Sequence, residues 1–173
     1  MRRALALLAL AALSACGYSL VGTGRGTLPE NVKSVYVAEL VNETAKVGLE
    51  QRLTEAILRE LAARSRLKPS GDRTAADAFL SGKLVSYQVD PVRFDNSGRA
   101  VEYQISVSAK IVLLERSTEK VLFEDPAFQF RQPYVVPGAT TGGSGYFDVE
   151  TAAVETLARP FARSLVTAIL EGF

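Results

Sequence analysis

The chain contains no histidine and no tryptophan, and its only cysteine is Cys16. Without histidine it lacks the commonest general base and the commonest metal-binding side chain. One cysteine forbids an intramolecular disulfide and any zinc site built on several thiolates. An excess of charge of one sign is also missing, since 20 Lys+Arg stand against 19 Asp+Glu. Nucleic acid is therefore not an expected partner, because its binders carry a basic surface. The longest uncharged apolar run, residues 4–13, falls short of the roughly 20 residues a membrane-spanning helix needs. Internal repeats and low-complexity tracts are absent. Charged residues at 23% and hydrophobic residues at 47% describe a folded domain, not a disordered stalk.

What is present begins at the N-terminus. Met1-Arg2-Arg3 followed by Ala4 to Leu13 has the proportions of a secretory signal, basic and then apolar. The next residues, Leu13-Ser14-Ala15-Cys16, resemble the lipobox of bacterial lipoproteins. Two small residues before the cysteine suit a narrow peptidase site, and the Cys16 thiol becomes the acyl acceptor. A signal peptide over 1–15 and lipid attachment at Cys16 are expected. A lone thiol in an exported chain calls for an explanation, and acylation supplies one. Each buried methylene contributes about 0.8 kcal/mol, and firm anchoring takes more than one chain. The acyl chains that such a resemblance implies, palmitate among them, would meet that need. Gly17 in place of Asp resembles the sorting pattern for the outer membrane. The chain from Cys16 onward keeps 18 basic and 19 acidic residues, enough length for one domain with a core.

Residues 16–31 carry four glycines and a proline and read as a lipidated flexible tether, leaving 32–173 as one domain. Val32 to Ala38 is β-branched and aromatic, the first strand. Asn42-Glu43-Thr44 supplies turn and capping chemistry before an amphipathic helix from Val47 to about Ala63. Leu49, Leu53, Ile57 and Leu61 form its apolar stripe. After an expected loop at 68–72, Ala76 to Gly82 leads into a strand through Tyr87. Val101, Tyr103, Ile105, Val107, Ala109, Ile111 and Leu113 then alternate with polar residues, a strand with one buried face. Asp95 to Gly98 closes its hairpin, and a second hairpin turns at Arg116 to Glu119. Asp125-Pro126 interrupts the returning strand as a bulge or edge does. Residues 132–146 are rich in Pro and Gly and are expected to form a loop, of a length that is often functional. Asp148 is expected to cap a last helix with Leu157, Phe161, Leu165 and Ile169 on one stripe. Pro160 would kink or restart it.

Catalytic motifs are present only as near misses. Gly138 to Ser144 has the glycine spacing of a phosphate loop, but Ser144 stands where the phosphate-binding lysine belongs. Ser65-Arg66-Leu67-Lys68 and Ser117-Thr118-Glu119-Lys120 both fit S-x-x-K, without the partner motifs that chemistry requires. Glu124-Asp125 sits at a strand break and reads as a solvated face. No catalytic residue, metal ligand or cofactor is expected, so the chain is not read as an enzyme.

Several stretches together resemble one family. They are Cys16-Gly17-Tyr18-Ser19-Leu20, Leu28-Pro29, Val35-Tyr36-Val37, Asn42-Glu43-Thr44, Gly48-Leu49-Glu50 and Leu53-Thr54. Ala76-Asp77-Ala78, Leu80-Ser81-Gly82 and Val101-Glu102-Tyr103-Gln104 complete the succession. In this order they resemble the lipopolysaccharide-assembly lipoproteins of the LptE family. The resemblance implies an α+β fold, a two-layer αβ sandwich with two helices on one face of a four-stranded mixed sheet. It implies a lipid-anchored place on the periplasmic side of the outer membrane. The partners it implies are an LptD-type outer-membrane β-barrel, which the protein plugs and helps assemble, and lipopolysaccharide on its way to the outer leaflet. Arg93 and Arg99 flank the hairpin tip and are the candidate lipopolysaccharide contacts, since guanidinium binds phosphate through paired hydrogen bonds. The alternative is a periplasm-facing lipoprotein that activates a cell-wall enzyme or supports a secretion pore.

Overall fold

The computed structural model describes residues 28–63, 66–135 and 146–171, with side chains of the last segment described from Ala152 onward. The expected signal peptide over 1–15, Cys16 and residues 136–145 lie outside the described residues. The elements run β1 (Ser34–Val37), β2 (Val41–Asn42), α1 (Leu49–Ala63), β3 (Lys68–Pro69), β4 (Ala78–Phe94), β5 (Ala100–Glu115), β6 (Val121–Val135) and α2 (Tyr146–Glu171). They make an α+β domain of two helices and one mixed sheet. The sheet has six strands in the order β3-β1-β4-β5-β6, with β2 also paired to β4. The expected count of four is corrected by two strands of two residues each, β2 and β3, too short to carry a periodic signal. β1, β2 and β3 run parallel to their neighbours, whereas β4, β5 and β6 form an antiparallel meander.

Three further boundaries differ from expectation, each for a local reason. Lys68-Pro69 is not loop but pairs with Ser34 and Val35. Residues 132–135 belong to β6, where Pro133 opposite Gln104 is tolerated because β6 is the sheet edge. β4 continues past Tyr87 to Phe94. Its alternation is interrupted by a bulge, since Leu84 pairs with Ala109 and Ser86 with Ser108, leaving Val85 extra. One extra residue moves every later side chain to the opposite face. At the N-terminal end, the last residues of the expected tether pack on the domain: Leu28 is buried and its carbonyl accepts from Arg66 Nη2 at 2.8 Å.

Both helices cover the same sheet face. From β4 it receives Ala78, Leu80 and Leu84, and from β5 Ile105, Val107, Ala109, Ile111 and Leu113, all buried. The expected stripe of α1 is buried in full, as are Leu157, Phe161, Leu165 and Ile169 of α2. Phe161 lies edge-on to Phe128 (5.5 Å between centroids) and Phe130 (5.8 Å), both in the favoured aromatic arrangement. α2 continues through Pro160 as one helix, and it starts at Tyr146, so Asp148 falls within its first turn.

Two polar groups fix how the chain enters this core. Thr54, on the buried side of α1, accepts a hydrogen bond from Leu40 N at 3.1 Å. Leu40 in turn fills the space above Gly82, where a Cβ would stand 2.7 Å from Ile111 Cδ1 and 2.9 Å from Leu40 Cδ2. Glycine at 82 is therefore a packing requirement. Asp77 ties β1 to the start of β4: its Oδ2 accepts from Lys33 N (3.0 Å), Ser34 N (2.9 Å) and Ser34 Oγ (2.7 Å). These donors, the Ser34 hydroxyl foremost, hold the Asp77 carboxyl below its ordinary range. Of the turn and capping chemistry expected at 42–44, the turn is observed: Thr44 N donates to Asn42 Oδ1 at 2.9 Å. Asn42 Nδ2 braces α1 by donating to Lys46 O and to Glu50 Oε2, a side-chain donor and not an N-cap acceptor.

Candidate partner-binding surface

The second face of the sheet carries no helix among the described elements. Strand register places Ser86, Ser108 and Gln129 in one row across β4, β5 and β6, and Gln88, Ser106 and Arg131 in the next. Asp90, Gln104 and Pro133 follow. The middle strand thus presents Gln104, Ser106 and Ser108 outward, three uncharged polar residues in succession. Toward β1 the same face turns apolar. Tyr36 and Phe79 stack at 5.9 Å with their rings 7° from parallel, and Arg73 lies 4.5 Å over the Phe79 ring. Leu114 pairs beside Phe79 and with Val121 of the edge strand.

Between the apolar and the neutral polar regions lies a shallow cavity of about 340 Å³. Val41, Val112, Pro126, Lys83 and Lys110 line it, together with Glu124 and Asp125. The dent follows from a bulge in β6: Ile111 pairs with Asp125 but Ala109 pairs with Phe128. Asp125-Pro126 therefore interrupts the strand as the sequence indicates. Lys83 is held by Glu43 at 3.1 Å.

The candidate arginines sit at the far end of this surface. Arg93, in β4, places Nε 2.9 Å from Glu102 Oε2 across the hairpin. Arg99, in the turn, places Nε 3.0 Å from Asp95 Oδ2. Asp95 Oδ1 also accepts from Ser97 N and Arg99 N, and Gly98 supplies the positive φ of +77° that the turn requires. The Arg99 backbone donor, with the Ser97 N–H and the Arg99 guanidinium, keeps the Asp95 carboxyl below its ordinary range. Both arginines are thus brought to one hairpin end, each against its own carboxylate. Beside them Val92, Phe94 and Val135 are more than half exposed.

Sequence reasoning misses the open face as a surface with its own composition. Its signal is legible as a lack: positions 104, 106 and 108 carry no charge, where a solvated strand face ordinarily carries Lys or Glu. Of the near-miss motifs, Ser117 lies in the β5–β6 turn, where Thr118 Oγ1 donates to Glu115. Ser65 and the phosphate-loop-like 138–144 lie outside the described residues. Among the described residues there is no group of three or more acidic or cysteine side chains that could hold a metal. No described helix is long and apolar enough to cross a membrane.

Two helices on one face of a mixed sheet, with no described helix on the other, define a two-layer αβ domain, and solved structures share it. A PelC dodecamer from Paraburkholderia phytofirmans matches at TM-score 0.52 and 13% identity, over 86% of this chain and 96% of that one. A Xanthomonas campestris protein matches at TM-score 0.54 and 13% identity, over 82% and 86%. A hypothetical protein from Chlamydia trachomatis matches at TM-score 0.51 and 10% identity, over 79% and 95%. Identities this low speak for the fold alone. No curated protein matches the chain in sequence. The family is given by residues 32–169, which match the LptE lipopolysaccharide-assembly model; the chain belongs to that family. It is a non-enzymatic family whose role is in lipopolysaccharide assembly.

Proposed function

We propose that the protein is an outer-membrane lipoprotein, lipidated on Cys16 and held on the periplasmic side, that plugs an LptD-type β-barrel and assists its assembly. In that place it assists the passage of lipopolysaccharide to the outer leaflet. The observation that carries this reading is the family match over 32–169. A domain with one face closed by helices and the other open and largely uncharged suits a plug, since barrel interiors are polar. Acylation at Cys16 would supply the anchor, and the signal peptide over 1–15 the export.

Arg93 and Arg99 are the proposed contacts to lipopolysaccharide phosphate. Each carboxylate partner engages Nε, and a guanidinium has five donors in a fixed plane. The pairing orients the remaining donors, and the arginine side chains stay 59% and 53% exposed.

The test is a detergent pull-down of the tagged full-length chain from native membranes, with mass identification of what accompanies it. A large heat-modifiable barrel is the expected partner. Recovery of a peptidoglycan synthase or a secretion-pore component instead would favour the alternative reading of a periplasm-facing lipoprotein. Fractionation of Cys16→Ala checks the anchor: a folded domain released from membranes is expected, and continued tight association contradicts the lipid assignment.

A further inference from the structure

We infer that the open face of the sheet, and not the helix layer, is the surface that meets the polar inner wall of the partner barrel. The inference rests on the plug reading above and names which side of the plug does the binding. Its ground is the contrast in what the two outer surfaces carry. The described outward side chains of α1 and α2 are largely charged or polar, with Arg52–Glu155 at 2.9 Å joining the helices and Arg59–Glu55 at 3.5 Å along α1. That is the composition of a surface that stays in water. No large hydrophobic side chain described on either helix is exposed.

The sheet carries the opposite composition. Val41, Val85, Val92, Phe94, Val121 and Val135 are each at least 40% exposed, and all belong to β2, β4 or β6. Interface centres are depleted in charged residues, which collect toward a polar rim. The open face shares that depletion of charge, with its exposed apolar side chains toward the sheet's edges and hairpin tip. Gln88, Gln104, Ser106, Ser108, Ser86 and Gln129 form the uncharged centre, and Lys83, Lys110, Asp90 and Arg131 surround it. Barrel interiors are polar and strand-built, with side chains alternating inward. Hydroxyls and amides on the sheet face match such a wall without desolvating a charge, whereas the charged helix surface would have to give up its water. The cavity between Val41, Val112 and Pro126 is the place for one anchoring side chain of the wall.

The test is photo-crosslinking in native membranes, with a benzophenone amino acid placed at Gln88, Ser108 or Gln129 on the open face. Arg59 and Arg163 on the outer helix surface serve as the comparison, and every site is exposed or half-exposed, so the fold is preserved. Barrel adducts from the open-face positions and none from the helices are expected. Adducts from the helix positions alone would overturn the assignment of the face while leaving the plug reading intact. Absence of adducts from every position, with no barrel in the pull-down, would overturn both.

Discussion

The helix layer and the open sheet face of this domain have the same strands as their boundary and opposite physical purposes. On the helix side the odd-numbered residues of β5 from Ile105 to Leu113 are at most 1% exposed, and Phe161 fits between two phenylalanines of β6. On the other side the even-numbered residues of the same strand from Gln104 to Ser108 are half-exposed and uncharged. One strand thus separates what holds the fold from what is free to bind. Substitutions on the two sides should separate in the same way, stability on one and recognition on the other.

The largest effect is expected at Phe161. Phe161→Ala removes a fully buried ring with two edge-to-face contacts and should cost about 3–5 kcal/mol, read as a lowered urea midpoint. A loss below about 1 kcal/mol would mean the helix layer is not the core it is taken to be. Gly82→Ala comes next, at about 1–3 kcal/mol. Its new methyl meets a backbone oxygen, Lys110 O at 2.9 Å, as well as two buried side chains, and backbone cannot rotate away. Thermal melts of this variant sharpen the comparison, because Gly82 faces the helices while its neighbours Ser81 and Lys83 line the open face.

Asp77→Ala removes three hydrogen bonds to a carboxylate and should destabilise by about 1–3 kcal/mol. This effect depends on pH. The folded carboxyl lies below its ordinary 3.8, so its contribution is complete above that value and is lost as pH falls through the lower folded one. The gap between wild type and Asp77→Ala is expected to be constant near neutrality and to close below about pH 4. A gap that widened on acidification would contradict the latch. The smallest change in stability is expected from Arg93→Ala, below about 1 kcal/mol, because exposed ion pairs are screened and flexible. If that variant lowers binding of purified lipopolysaccharide while its melting temperature holds, the tip belongs to recognition; unchanged binding would remove Arg93 from the proposed contacts.

Much of the helix side can be read from residues alone. The four-residue spacing of Leu49, Leu53, Ile57 and Leu61, and the alternation from Val101 to Leu113, each follow one uninterrupted period. β4 and β6 are harder because bulges at Val85 and around Pro126 reverse their alternation midway, so each half of the pattern contradicts the other. β2 and β3 are invisible, since two residues cannot show a period, and Pro133 makes an edge strand look like loop. The hairpin tip is legible through Asp95 to Gly98, but the pairing of Arg93 with Glu102 is not. It depends on a register shift between Pro91 and Arg93 that only strand pairing reveals. The open face is hidden for a different reason. Its residues read as the polar half of an alternation, and their lack of charge gains meaning only when three strands are laid side by side.

The separation of binding from folding is tested most directly by Ser106→Lys, with stability and barrel recovery measured on the same preparation. Ser106 lies at the centre of the uncharged region, half-exposed, so the fold should change by no more than about 0.5 kcal/mol. A lysine buried without a partner against the barrel wall should reduce the recovered barrel by about tenfold or more. Full recovery of the barrel by a normally folded Ser106→Lys protein would contradict the account.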